Sequence, residues 1–230
     1  MTTASPSDTK MRQGWSPERQ QQYRAKHQAL VFHFLLDASP SMCGQAENDL
    51  RRAFNMYLTW LQQHADPMSL AEVRCFSTPL DPGATVPLGT LKPLNGRTYN
   101  PAMHGSGTAL YRAVGDTCTV ASGAETPAQH VLVVFTDGYD NTSEEVGWTN
   151  GQVYTLLQTL QQQQNWLAIF LGALPDALEV GKSMGFQSGN CLEFTTDKIP
   201  EAFQRLMQAT QKYLAASPQD RKLLAATGVF

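Results

Sequence analysis

The chain has 230 residues, a net charge of −3, 42% apolar residues and only 16% charged ones. That suffices for one large domain with a full core and leaves little for a second. With no basic stripe, a nucleic-acid backbone is not expected as a partner, and no apolar run approaches the ~20 residues of a membrane span.

Residues 1–27 are rich in Ser, Thr, Gln and Pro and read as a flexible N-terminal arm that Trp15 and Tyr23 could dock. The arm lacks the apolar segment of a secretory signal, so a cytoplasmic location is expected. The regular part, residues 28–216, opens with Leu30 to Leu36, apolar except for His33. Such a run fits a central parallel strand covered on both faces, with His33 a hydrogen-bonded core residue. Leu50, Phe54, Tyr57, Leu58 and Leu61 recur at helical spacing and predict a helix from about Glu47 to His64. Leu70–Phe76 reads as a second strand, and Thr85–Leu91 as a short third one that its prolines place at an edge. After a loop over 93–107, a helix is predicted from Thr108, then a buried strand over Val131–Phe135. Thr149 and Gln152 form a capping-box pattern ahead of Val153, Leu156, Leu157 and Leu160. A strand over Trp166–Leu171, a short helix over Ala177–Met184, a short strand over Cys191–Phe194 and a helix begun by Pro200 and Glu201 complete the domain. The C-terminal tail, 217–230, reads as a frayed end, with a docking peptide as the alternative. Strands alternating with helices indicate a doubly wound, mostly parallel α/β sheet with helices on both faces.

The four cysteines are far apart and none forms a Cys-x-x-Cys pair, so reduced, mostly buried thiols are expected rather than a zinc cage. The chemistry lies in oxygen-bearing segments. Asp37-Ala38-Ser39-Pro40-Ser41 follows the first buried run. Ser106-Gly107-Thr108 opens a helix, and Thr136-Asp137-Gly138 follows the run Val131–Phe135, with Asp140-Asn141 just beyond. In an open α/β sheet, ligands bind outside the carboxyl ends of the strands. If those two strands are parallel neighbours, Asp37 and Asp137 emerge together, and two such carboxylates need a cation between them. Hydroxyls and carboxylates suit a hard ion, Mg2+ first, with Mn2+ or Ca2+ as alternatives. Few of these donors are charged, so the ion stays electrophilic and open to an outside carboxylate, which the positive helix end near Thr108 would also favour.

These segments resemble the metal-ion-dependent adhesion site of von Willebrand factor A (vWA) domains, over roughly residues 28–216. The resemblance carries Asp37, Ser39 and Ser41 onto that site's first loop, Thr108 onto the second and Asp137 onto the third. It implies a Rossmann-like sheet in the order 3-2-1-4-5-6 with an antiparallel edge strand 3. It implies a binding module, not an enzyme, in which a divalent ion bridges to an Asp or Glu of a partner protein; bacterial and intracellular relatives act in assemblies, stress responses and chaperone-like complexes. Two departures stand out. Pro40 occupies a position that is usually Gly, and Ser106-Gly107-Thr108 replaces the commoner Gly-Gly-Thr.

Among other residues, His104 reads as a solvated loop histidine with a place on the rim as the alternative. Met42, Tyr99, Tyr139 and Trp148 are candidate contact residues around the ion, Trp148 equally a packing residue. Asp140 is expected to hold a turn with Asn141. The alternative function is a metal-assisted phosphatase or hydrolase with Asp37 as nucleophile. Against it, Ser39 stands where an aspartyl phosphatase would carry a second acid, and no Gly-x-Ser-x-Gly elbow exists. Nucleotide binding lacks its glycine-rich loops.

Overall fold

A computed structural model describes residues 14–19, 22–23, 29–78, 80–123, 128–143, 147–163 and 166–230. Six strands form one sheet: β1 (Leu30–Asp37), β2 (Leu70–Phe76), β3 (Val86–Pro87), β4 (Gln129–Thr136), β5 (Trp166–Gly172) and β6 (Cys191–Glu193). Their order is β3-β2-β1-β4-β5-β6, with only β2–β3 antiparallel. This is the doubly wound, mostly parallel sheet expected.

β1, β4 and β5 are buried along almost their whole lengths, which is why they read as unbroken apolar runs rather than alternating ones. On one face, Leu30, Phe32, Phe34 and Leu36 of β1 meet α1 (Gln45–His64) and α5 (Ile199–Ala215). There Phe54 and Tyr57 stand edge-on to Phe34, and the Tyr57 hydroxyl shares a 2.9 Å hydrogen bond with Thr210 Oγ1. On the other face, Leu35, Leu132, Val134 and Phe170 meet α2 (Leu110–Ser122), α3 (Asn150–Gln163) and α4 (Ala177–Ser183). No described helix is long and apolar enough to cross a membrane.

The capping box forms as read: Thr149 N donates to Gln152 Oε1 at 2.8 Å and Gln152 N to Thr149 Oγ1 at 3.4 Å. Three expectations change. The third strand shrinks to Val86–Pro87, because Pro87 cannot extend the ladder and the chain turns into a 3-10 helix at Leu88–Thr90. The second helix starts at Leu110, not Thr108, since the Thr108 N–H is held outside the helix by Asn141 Oδ1 at 2.8 Å. The tail does not fray. Residues Pro218–Thr227 form α6, capped by the Ser217 hydroxyl, and buried Arg221 donates to the carbonyls of Tyr213 and Leu214, both at 2.9 Å. The N-terminal arm lies mostly outside the described residues; within it, Trp15 and Tyr23 meet edge-on, centroids 5.6 Å apart.

Candidate metal centre

Topology places the candidate residues. β1 and β4 are parallel neighbours in register Leu36↔Phe135, so both chains leave the same sheet edge beside each other. Asp37, the last residue of β1, is fully buried. Its Oδ1 accepts from Ser39 N at 2.8 Å and its Oδ2 from Thr136 Oγ1 at 2.6 Å. The Asp37–Ser39 bond closes a tight turn, after which Pro40 begins a 3-10 turn, Pro40–Met42, at a position where its missing N–H costs nothing. The departure from glycine at Pro40 is thus accommodated. Ser39 Oγ lies 3.0 Å from Ser41 Oγ, which donates to Asp137 Oδ1 at 2.8 Å. Ser39 and Thr108 are buried; Ser41 is exposed and Asp137 half-buried, so the cluster opens to solvent on their side.

Thr108 completes the set through Gly138. A Cβ at position 138 would lie 3.3 Å from Thr108 Oγ1 and 4.0 Å from Asp37 Oδ2, so both donors face the space that this glycine leaves open. The loop ahead of Thr108 depends on Gly105, whose φ is +118° and whose Cβ would sit 1.9 Å from the Thr78 carbonyl oxygen. The structure thereby gathers Asp37, Ser39, Ser41, Thr108 and Asp137 at one rim. Burial pushes the Asp37 carboxyl up to about 6, helped by the charge of Asp137, and burial also raises Asp137. Among the described residues, no Lys or Arg forms an ion pair with either carboxylate. Five oxygen donors with two uncompensated carboxylates fit a hard divalent cation.

Several assignments shift. Met42 and Tyr99 are buried, so neither offers contact surface. The Tyr99 hydroxyl instead donates to the Asp37 carbonyl at 2.5 Å and holds the end of β1. Trp148 is a packing residue: its Nε1 donates to Asp116 Oδ1 at 2.8 Å and its ring covers Gly115. Tyr139 remains exposed and donates to Asp176 at 2.6 Å. Asp140 does more than hold a turn. Its Oδ1 accepts from Tyr111 N at 2.9 Å, while Asn141 takes Thr108 N and Ser143 Oγ takes Arg112 N at 3.0 Å. This segment caps α2 from outside, so the positive helix end expected to attract an incoming anion already faces a carboxylate. Thr136 lies in the expected Thr136-Asp137-Gly138 segment but outside the expected ligand set; it ends β4, and its hydroxyl secures Asp37. His33 is the core histidine expected, bonded to Glu72 and His130.

The cysteines are free, and Cys75, Cys118 and Cys191 are buried. One is not isolated. Cys75, Asp81 and His104 bring a thiol, a carboxylate and an imidazole within 4.8 Å of one another, a group able to hold a metal ion. The absence of a Cys-x-x-Cys spacing hid this group, because its members are supplied by three separate stretches. His104 is accordingly not a fully solvated loop residue.

No protein-family model and no curated protein matches the chain. Solved structures do. The vWF domain of the type V pili tip protein Mfa5 from Porphyromonas gingivalis matches 82% of this chain and 97% of its own, at 9% identity and TM-score 0.60. The pilus adhesin SpaC from Lactobacillus rhamnosus GG matches 81% of this chain at 10% identity and TM-score 0.59. The ArnB paralog VWA2 from Sulfolobus acidocaldarius matches 77% at 16% identity and TM-score 0.53. The chain spans 30% of the SpaC chain and 44% of the VWA2 chain. Identities this low speak for architecture alone, and with the strand order and helices on both faces they agree: the fold of this chain is of the von Willebrand factor A type.

Proposed function

We propose that this chain is a protein-binding module that holds a divalent cation, Mg2+ in the first instance, on Asp37, Ser39, Ser41, Thr108 and Asp137. The ion, with a coordination position toward solvent, captures an Asp or Glu carboxylate of a partner protein. The carrying observation is the meeting of five oxygen donors from three loops at one rim, with Asp37 buried and no cation paired to it. Hydroxyl donors leave the ion electrophilic, and an acidic side chain is the natural ligand for it. Two exposed apolar side chains suit a contact surface: Met103, on the 3-10 turn that packs against Pro40–Met42, and Tyr139. The likeness to a pilus adhesin and a pilus tip protein supports an interaction role. Nucleophilic chemistry fits less well, since Asp37 is out of solvent and both its oxygens already accept hydrogen bonds.

Isothermal titration of Mg2+ into the full chain is expected to give one-to-one binding. Gly138→Val, which fills the space faced by Thr108 and Asp37, should weaken it about tenfold or more. For the partner side, a short peptide with one Glu should shift the amide resonances of Ser41 and Thr108 in Mg2+ but not in chelator. The matching Gln peptide should be silent. Equal shifts from both peptides, or shifts that persist in chelator, would refute the reading.

A further inference from the structure

The geometry points to a second metal site, for Zn2+, formed by Cys75 Sγ, Asp81 and His104. It does not depend on the Mg2+ reading. Cys75 is buried at the C-terminal end of β2, where register pairs it with Leu36 of β1. After β2 the chain doubles back, and Asp81 N donates to the Cys75 carbonyl at 3.2 Å, which sets the Asp81 side chain beside the thiol. His104 ends the Pro101–Met103 turn, its N–H on the Pro101 carbonyl at 3.3 Å and its own carbonyl taking the Ser77 hydroxyl. Three separate backbone anchors therefore bring the donors together.

The contacts these side chains make now are weak. His104 Nδ1 and Asp81 Oδ1 stand 3.8 Å apart, beyond a hydrogen bond, and the Cys75 thiol donates to the Thr98 carbonyl at 3.4 Å. In a tetrahedral zinc site the donors stand about 3.2–3.7 Å apart, given the usual bond lengths. All pairs here lie within 4.8 Å, so shifts of about 1 Å would close the set. Cys75 is fixed by its strand, while His104 and Asp81, partly exposed on loops, can make those shifts. Donor chemistry selects the ion. A thiolate with an imidazole and a carboxylate suits Zn2+ and is foreign to Mg2+. On binding, the thiol proton leaves to solvent and the sulfur bonds the metal. Three protein ligands leave one position for water or a partner's side chain. The His104 loop runs directly into Gly105-Ser106-Gly107-Thr108, so zinc would pin the segment that delivers Thr108.

Co2+ in place of Zn2+ tests this in the full chain, with Mg2+ in excess. One Co2+ is expected to bind with a thiolate-to-metal charge-transfer band and visible bands of tetrahedral intensity, both erased by Zn2+. Cys75→Ser should remove the charge-transfer band. Cys43→Ser, at the exposed cysteine, should keep it, as should Asp37→Asn. His104→Ala should weaken Co2+ at least about tenfold with the far-ultraviolet circular dichroism unchanged. Absence of the charge-transfer band at saturating Co2+, or its survival in Cys75→Ser, overturns the site. Should Cys75→Ser fail to fold, His104→Ala decides, and unchanged Co2+ affinity there overturns it equally.

Discussion

Asp37→Asn is expected to abolish Mg2+ binding and at the same time to make the metal-free protein more stable at neutral pH. Both results come from the same burial. Asp37 is wholly out of solvent, and without a cation its help comes from the Ser39 hydroxyl and N–H and from the Thr136 hydroxyl. Burial pushes its carboxyl up from 3.8 to about 6, and Asp137 adds repulsion. A group that titrates about two units higher when folded costs the ionised native state about 2–3 kcal/mol at pH 7. Asparagine removes the charge and keeps an oxygen for the Ser39 N–H. The Thr136 hydroxyl, already 3.0 Å from the Gly138 carbonyl, has a second acceptor to turn to. Imperfect pairing of the new amide reduces the gain, so a net stabilisation of about 1–2 kcal/mol is expected in chelator. Saturating Mg2+ should reverse the order, because it stabilises only the protein that binds it. Urea unfolding in chelator and in Mg2+ measures both. Equal Mg2+ stabilisation of the two proteins would remove Asp37 from the site.

On the proposed reading the rim carries this cost because its donors serve a charge that the polypeptide does not itself supply, and that asymmetry also explains what could be read from sequence. Asp37, Ser39 and Ser41 sit in one short string behind a buried strand, and Asp137 behind another, so sheet topology alone makes them neighbours. Thr108 was legible because it lies just ahead of a helix, after a glycine-rich loop. The residues that hold these donors were not. Thr136 donates across to a residue 99 positions away, and Tyr99 reaches the Asp37 carbonyl from a long loop. Such partnerships leave no periodicity. The cap on α2 was obscured for the same reason: Asp140, Asn141 and Ser143 lie about 30 residues beyond the helix start they serve. α6 was hidden by its polar composition. Among its anchors are an arginine whose guanidinium bonds two carbonyls of the preceding helix and Asn190, whose Nδ2 donates to the Ala225 carbonyl, and hydrophobic patterning does not register such contacts.

A second large effect is expected on the α2–α3 face of the sheet, in a buried polar row running from β4 to β2. His33 Nδ1 bonds Glu72 Oε1 at 2.6 Å, and His33 Nε2 shares a 2.9 Å hydrogen bond with His130 Nδ1. Glu72 Oε2 accepts from Arg74 Nε and Nη2, both at 3.3 Å. All four residues are buried, and the Trp166 ring stacks on both imidazoles. Glu72→Ala strands Arg74 and one end of His33, and should cost about 3–5 kcal/mol. Glu72→Gln keeps an acceptor but loses the charge, and should cost less. The row also makes stability depend on pH. Burial pushes His130 down from 6.5 to about 3, with His33 adding to the shift. Its folded pKa is depressed, so the stability it contributes is present above about 6.5 and is lost as pH falls toward 3. Between pH 7 and 5 the loss approaches 2 kcal/mol. Burial would raise Glu72, but His33 and Arg74 outweigh it and hold the group below 4.5, so its own loss begins at lower pH. Asp37, shifted upward, works with the opposite sign and cancels in the comparison of wild type with His130→Asn. The free-energy difference between those two proteins, from urea titrations in chelator, should therefore shrink steadily from pH 7 to pH 5. A difference that stays flat across that range would mean His130 takes up its proton equally in both states.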